Sequence, residues 1–542
     1  MAQIPKKSRS RQELQELLRR DHTLNGGILF GLEGHIIEIQ ARAMEVLSRP
    51  TPWRGAVGIS GMARNCVYES LDRIAGSFAK LGIPDPQVGI QINLVPPSLE
   101  KDGTWLDLPL AIIMLQASGY LPDLPEHLEG DYIIVGELGL HGEIRRVPGI
   151  LSIAFRAKPG QKLLVPAGNE KECALILARP GHDGCGIFPV GTLDEVVEYF
   201  QGKRSLDNAL KSGIKFDNHI SRAIDFGLIR GQAKAKEAAC IAAAGGHNLL
   251  LIGPPGEGKS LMASAIPGIL PRLTDSEKVE LTRIYSAYGA LEQDGVAVTR
   301  RPMRTVHHTA SKQSLVGGGS RVPRPGEITL AHLGVLFLDE IAEFSTSTLE
   351  ALRQPIESGE IVISRVGASL SFPCRFSLVA AMNPCPCGYF GTDSCGCREI
   401  DVKKYQRKLS GPILDRIDLQ VEMDRLTTEE RFADTEGDLS PRYRLMVERA
   451  RDRQTERYAG TSVPHNAAMP AGQIMEFCDM TAEAKEAFKR VIDENSLSTR
   501  SMDRLAKVTR TIADLAESRQ VLPKHVMKAA GFVVGGMLRS GY

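Results

Sequence analysis

Apolar and polar positions divide the chain into stretches of different rhythm. From Gly26 to about Phe200, short apolar runs are separated by turn residues. Val88-Gly-Ile-Gln-Ile-Asn-Leu94 alternates and Tyr132-Ile-Ile-Val135 is continuously apolar, so both predict strands. Val67 to Leu81 and Pro109 to Ser118 carry the longer helical spacing. Together they predict a mixed α/β domain over residues 26–200. A second α/β pattern covers 224–424, and only helix-period segments occupy 425–542. Among these are Thr481 to Asn495, with Thr481 as a cap, and Ser501 to Ala516. Residues 1–25 are rich in Lys and Arg (Lys6, Lys7, Arg9, Arg11, Arg19, Arg20), poor in apolar positions, and predict a basic arm, either frayed or helical or a solvated tail. The polar, Gly-containing stretch 201–223 predicts a linker.

Composition narrows the class. At about 100–200 residues per domain, 542 residues predict roughly three domains. Lys plus Arg number 66 against 65 Asp plus Glu, which excludes a protein that coats nucleic acid by bulk charge but leaves room for a local basic stripe. No apolar run approaches the roughly 18 residues of a membrane span, and the N-terminus lacks the apolar core of a secretory signal. Ten cysteines are too sparse for a disulfide scaffold, so a reducing cytoplasm is expected.

The chemistry starts at Leu249-Leu-Leu-Ile252, a buried-strand run leading directly into Gly253-Pro254-Pro255-Gly256-Glu257-Gly258-Lys259-Ser260. This is the phosphate-loop pattern, with a helix predicted over Leu261 to Ile266. Its glycines let backbone N–H groups close around phosphate oxygens, Lys259 reaches the β- and γ-phosphates, and Ser260 holds Mg²⁺. A second apolar run, Val335-Leu-Phe-Leu338, ends in Asp339-Glu340: an Asp for the Mg²⁺ shell and a Glu to polarise the attacking water. Paired with the loop about 80 residues upstream, it points to hydrolysis of a nucleoside triphosphate and not to binding alone. A third run, Ser377 to Met382, ends in Asn383, which either orients the lytic water or caps a turn. Arg416 and Arg500 are candidates for stabilising charge on the γ-phosphate, and each also suits a surface ion pair.

These motifs, with Asn383-Pro-Cys-Pro-Cys-Gly388 and Leu414-Asp-Arg-Ile-Asp418, resemble the AAA+ ATPases of the magnesium-chelatase-like group, and within it the ComM/YifB family. His307-His308-Thr309, Gly317-Gly-Gly319, Pro325-Gly-Glu327, Leu330-Ala-His332, Leu352-Arg-Gln-Pro355 and Thr509 to Asp514 extend the likeness to nearly the whole chain from about residue 26. The resemblance implies an α/β P-loop AAA+ core with a helical lid, and ring-shaped oligomers, expected to be hexamers, with ATP between subunits. It implies Asn383 as the sensor-1 residue, Arg416 as the finger acting on a neighbour, and Arg500 as the sensor-2 arginine, with Arg504 as the alternative. The first domain resembles the Lon-protease-like (ribosomal S5 domain 2-like) fold through Asn93-Leu-Val-Pro96, Lys101-Asp-Gly103, Asp107-Leu-Pro109 and Gly136 to Gly139. Thr104-Trp105 and Ile150-Leu151 stand where such a protease needs its Ser and Lys, so proteolysis is rejected and the domain reads as a binding or assembly scaffold.

Cys385, Cys387, Cys395 and Cys397 form two C-x-C pairs, a set that suits either Zn²⁺ or a reduced loop without metal. Between Arg300 and Gly326 lie Arg300, Arg301, Arg304, Lys312, Arg321 and Arg324, three consecutive glycines and no acid. Such a loop can grip a phosphodiester backbone, or its arginines can pair with acids elsewhere. The resulting expectation is an ATP- and Mg²⁺-dependent ring motor on DNA, a ComM-like branch-migration helicase in recombination or natural transformation, with recombination proteins as partners. The competing expectations are a chelatase-type motor that drives Mg²⁺ into a porphyrin and a protein-remodelling AAA+ ATPase.

Overall fold

The computed structural model describes residues 10–122, 131–177, 180–211, 224–291, 297–319, 323–365, 368–409, 411–432 and 437–534. Lys6, Lys7, Arg9 and Arg321, and the linker from residue 212 on, lie outside the described residues. The chain forms two compact units. One comprises Met1–His219 with Lys278–Thr299, the other Ile220–Glu277 with Arg300–Tyr542.

The first unit is built on a mixed sheet whose seven described strands run Val57–Ser60, Val88–Val95, Glu33–Val46, Asp21–Phe30, Tyr132–Ile134, Lys162–Pro166 and Gly186–Val190 in spatial order. Asp21–Phe30 and Glu33–Val46 form an antiparallel hairpin, Val88–Val95 joins Glu33–Val46 antiparallel, and the other described strands join in parallel. The basic arm expected over 1–25 does not extend through that range. Residues Arg11–Leu17 form a helix opened by a Ser10/Glu13 capping box, and the first strand begins at Asp21. The reason is an apolar face hidden among charges: Leu14 and Leu17 sit three apart and are buried, as are Leu24 and Ile28. Gly34 is required by close approach, since a Cβ there would stand 2.2 Å from the Ser152 carbonyl oxygen.

Lys101 of the Lys-Asp-Gly turn is fully buried and donates to the carbonyls of Leu94 (3.2 Å) and Pro96. The next side chains are also engaged: Thr104 Oγ1 donates to Glu137 (2.6 Å) and Trp105 Nε1 to the Pro148 carbonyl (2.8 Å). Residues 278–299 belong to this unit through Arg283, which donates to Ser152 Oγ (3.0 Å) and pairs with Glu33, and through Ser286, which donates to Glu172 (2.7 Å).

The second unit holds a sheet of five described strands, all parallel, in the order Met303–Val306, Val335–Leu338, Ser377–Met382, Leu249–Ile252, Leu419–Glu422. Leu249–Ile252 and Val335–Leu338 are buried at every residue, as strands covered on both faces must be. Helix Ala233–Gly245 packs against Ser440–Arg457 and Thr499–Leu515, so the C-terminal helices share a core with the sheet domain. Thr481 caps Ala482–Asn495 by accepting from the Ala484 N–H (3.2 Å). No helix among the described residues is long and apolar enough to cross a membrane.

A buried polar cluster ties the C-terminal helices to the sheet. Asp514, 1 % exposed, accepts from Arg510 Nη2, Arg457 Nη1 and Asn466 Nδ2, each at 2.9 Å. Thr511 Oγ1 hydrogen-bonds His247 Nε2 at 2.8 Å, and His247 Nδ1 lies 3.4 Å from Asp418 at the foot of the last strand. Removing one member of such a set leaves uncompensated buried charge, a cost of about 3–5 kcal/mol. Asp514→Ala is therefore expected to lower the thermal transition of the second unit by on the order of 10 °C, read by circular dichroism or calorimetry.

Candidate active site

Parallel strands deliver the residues just past their C-terminal ends to one edge of the sheet. Ile252 pairs with Met382 and Leu338 with Ala380, so Gly253, Asp339 and Asn383 emerge side by side. Val306 lies opposite Leu338, which brings His307 and His308 to the same edge.

The predicted phosphate loop spans Gly253 to Ser260 and leads into helix Lys259–Ala265. Lys259 is buried, and its Nζ donates to the carbonyls of Gly253 (2.6 Å) and Pro254 (2.7 Å) and to Asn383 Oδ1 (3.1 Å). Burial pulls its pKa down, against the opposing pull of Asp339, Glu257 and Glu340. Ser260 Oγ donates to Asp339 Oδ2 at 2.9 Å, setting two hard oxygen ligands side by side. Glu340 comes next with left-handed backbone (φ 50°), its N–H donating to Asp339 Oδ1 (3.0 Å). Its carboxylate lies 3.1 Å from His308 Nδ1, and the His307 and His308 ring centroids lie 4.1 Å apart, tilted by 36°. Glu257 is buried, accepts from the Leu426 N–H (3.2 Å) and pairs with Arg431 (3.2 Å).

These residues fit a nucleotide triphosphate with Mg²⁺. Gly256 and Gly258 both have φ +85°, and nothing stands within 4 Å of where a Cβ would be. That is an open cradle of backbone amides, closed off by Lys259 on one side and the Ser260/Asp339 oxygens on the other.

Two predicted residues are placed elsewhere. Arg416, 8 % exposed, pairs with Glu357, and Arg500 lies 3.6 Å from Asp415. Arg504 donates to the carbonyls of Leu414 (3.0 Å) and Ile417 (2.6 Å). Both lid arginines thus hold the segment that carries Arg416. Within the basic stretch, Arg301 is paired with Glu277 (3.1 Å) and Arg304 with Glu327 (2.6 Å), so for these two the ion-pair reading holds.

The four clustered cysteines converge. Cys385 Sγ lies 3.3 Å from Cys387 and 3.9 Å from Cys395, Cys387 lies 3.7 Å from Cys395, and all four sulfurs fall within 4.8 Å of one another. A tetrahedral Cys₄ zinc site, with Zn–S of about 2.3 Å, has S–S edges of about 3.8 Å, so the set fits the ion. The Tyr389 N–H, first among its neighbours, holds the Cys387 thiol down to about 6.

His308, which the sequence includes in the family likeness without a role, joins the site beside Glu340, and Arg431 joins it with no motif of its own. A signal for His308 is nonetheless present in the chain: Met303–Val306 is a strand ending in His307-His308, as the other site strands end in Gly253, Asp339 and Asn383. Arg431 reaches the loop only through its pairing with Glu257, 174 positions away.

Comparison with known proteins identifies the family. The family model described as magnesium chelatase, subunit ChlI, matches residues 225–431, its C-terminal model matches 437–532, and a third, subunit ChlI of Mg-chelatase, matches 52–169. The fold and site define a magnesium-chelatase-like AAA+ ATPase. The chain is 39% identical to YifB of Escherichia coli over 486 residues, 88% of this chain and 92% of that protein. It is 37% identical to the competence protein ComM of Haemophilus influenzae over 481 residues, 87% and 91% of the two chains. The chain belongs to the ComM/YifB family. Likeness to the magnesium-chelatase 38 kDa subunit of Rhodobacter capsulatus is 29% over 177 residues, 29% of this chain and 50% of that protein.

Glu340→Gln keeps the shape of the carboxylate and removes its basicity. Turnover of ATP is expected to fall about 10²–10⁴-fold with nucleotide affinity little changed, measured by phosphate release and by titration with a fluorescent nucleotide.

Proposed function

We propose that this chain is an ATP-hydrolysing ring motor acting on DNA, a ComM-like branch-migration helicase in recombination or natural transformation. The observation that carries hydrolysis is the convergence of Lys259 on Asn383 and of Ser260 on Asp339, with Glu340 adjoining. The loop amides and Lys259 bind the β- and γ-phosphates, and Ser260 with Asp339 holds Mg²⁺, which neutralises phosphate charge when bound. Glu340 takes the proton of the attacking water and Asn383 orients it. Arg416, with Arg500 beside its segment, meets the γ-phosphate of the next subunit in a hexameric ring. Cys385, Cys387, Cys395 and Cys397 hold one Zn²⁺.

Support for DNA comes from two hairpins. Gly317–Gly318 pairs with Arg324–Pro325, and Glu360–Arg365 with Ala368–Pro373. Arg365 Nε links them by donating to the Gly319 carbonyl at 3.0 Å. Exposed Lys312 and Arg324 and half-buried Arg365 supply cations there for a phosphodiester backbone. A relative carrying the name competence protein suits the same reading.

The direct test is the steady-state ATPase rate alone and with single-stranded, duplex and four-way-junction DNA, with Lys259→Ala as the blank. A several-fold rise, largest on branched or single-stranded DNA, is expected. In DNA titrations, Arg324→Ala is expected to weaken binding for all sequences and to lower the salt slope by about 1. A basal rate unmoved by any DNA at low salt sinks the helicase reading and favours a chelatase-type or protein-remodelling motor. For the ring, mixing Lys259→Ala with Arg416→Ala subunits is expected to restore part of the activity that neither has alone, because a mixed interface can pair an intact loop with an intact arginine.

A further inference from the structure

We propose that the metal held by the four cysteines is a positioning element of the ATPase site: it folds residues 384–397 back onto the phosphate loop and so keeps Asn383 beside Lys259. The proposal rests on the zinc reading above and adds to it a role in catalysis.

Asn383 is the first residue past a buried strand, and the chain then runs to Arg398 without helix or strand. Little apolar burial holds that stretch. Phe390 is 38 % exposed, Pro386 and residues 391–394 are exposed, and Pro384, Cys385 and Gly388 are buried. An irregular loop this long, without a core of its own, needs a cross-link to keep one conformation.

The loop nevertheless touches the nucleotide site at its middle. A Cβ added to Gly388 would stand 2.6 Å from Pro255 Cδ and 3.8 Å from Asn383 Cγ, and the Gly388 φ of +83° is one that few other residues adopt. Gly388 adjoins Cys387 directly, and Asn383 precedes Cys385 by two residues, so two of the four sulfurs flank the contact. The other two, Cys395 and Cys397, come from the far end of the loop and close it. Other contacts also touch the stretch: Gln406 Nε2 donates to the Pro384 carbonyl (3.0 Å), the Asn383 backbone hydrogen-bonds the Tyr405 hydroxyl, and the Tyr389 ring faces the Arg425 guanidinium at 5.0 Å. Free of the ion, the loop loses the link between its two ends, and Asn383 loses the backing that Gly388 and Pro255 provide. A displacement of about 1 Å of such a group can cost about 10²-fold in rate without abolishing ligand binding.

The test uses the full chain. Zinc per chain is measured by inductively coupled plasma mass spectrometry in the wild type and in Cys395→Ser/Cys397→Ser, together with nucleotide affinity, kcat and the thermal transition. One zinc per wild-type chain is expected and none in the double variant, with kcat lowered about 10–100-fold and affinity for a fluorescent ATP analogue within about threefold. Adding Asn383→Ala to the double variant is expected to lower kcat little further, because both changes remove the same group from its place. A wild type that neither carries zinc nor takes up Zn²⁺ or Co²⁺ overturns the zinc reading and this inference with it. A folded, zinc-free double variant with wild-type kcat overturns the coupling alone and leaves the zinc reading standing. Should the double variant not fold, the Co²⁺-loaded wild type decides. Its d–d absorption is expected to shift on adding ATP with Mg²⁺, and to stay unmoved in Asn383→Ala. A spectrum that ATP leaves unchanged in the wild type overturns the coupling.

Discussion

A parallel register pins Ile252 opposite Met382 and Leu338 opposite Ala380, and through it the ends of three strands that are far apart in sequence meet at one edge of a sheet. That meeting sets Lys259 Nζ at 3.1 Å from Asn383 Oδ1 across 124 positions of chain. The strands themselves are short and almost wholly apolar, so their alignment rests on burial on both faces, with Asn248 at their foot accepting from the Leu378 N–H (2.9 Å). A slip of one residue would turn each side chain to the opposite face and carry Asp339 away from Ser260. Catalytic geometry and core packing are therefore one constraint in this unit.

Much of this arrangement is legible in the chain. The three strands before Gly253, Asp339 and Asn383 stand out as apolar runs, and each lies where the run places it. Thr481 is readable as a cap because side-chain capping is local. The features that escape a linear reading are decided by partners distant in sequence. The helix Arg11–Leu17 looks like a charged tail until the strands it packs near are known, because only Leu14 and Leu17 mark its buried face. Whether Arg301 and Arg304 are free or paired stays open in the sequence because Glu277, 24 positions before Arg301, and Glu327 both lie outside the window that contains no acid. The proximity of His308 to Glu340 depends on which strand neighbours which, and strand order is not written in periodicity.

The lid arginines illustrate the same limit on a functional scale. Helix Thr499–Leu515 carries two interactions in opposite directions along its length. Near its start, Arg500 and Arg504 reach Asp415 and the carbonyls of Leu414 and Ile417. Near its end, Arg510 and Asp514 are locked into the buried cluster with Arg457 and Asn466. One helix thus grips the Arg416 segment with one end and is anchored with the other. Burial pushes the Arg504 pKa down, and the carboxylates of Asp418 and Asp415 draw it back up, so this grip is electrostatic as well as geometric.

Residues 278–299 have a different kind of consequence. The polypeptide leaves the ATPase unit within helix Asp275–Tyr288, contributes Arg283 and Ser286 to the first unit, and returns at Arg300. The backbone therefore passes between the units three times. A gene fragment that began at residue 220 would express an excursion stripped of Glu33, Ser152 and Glu172, and one that ended at residue 219 would lack the segment those residues hold. No single cut of the chain therefore separates its two compact units.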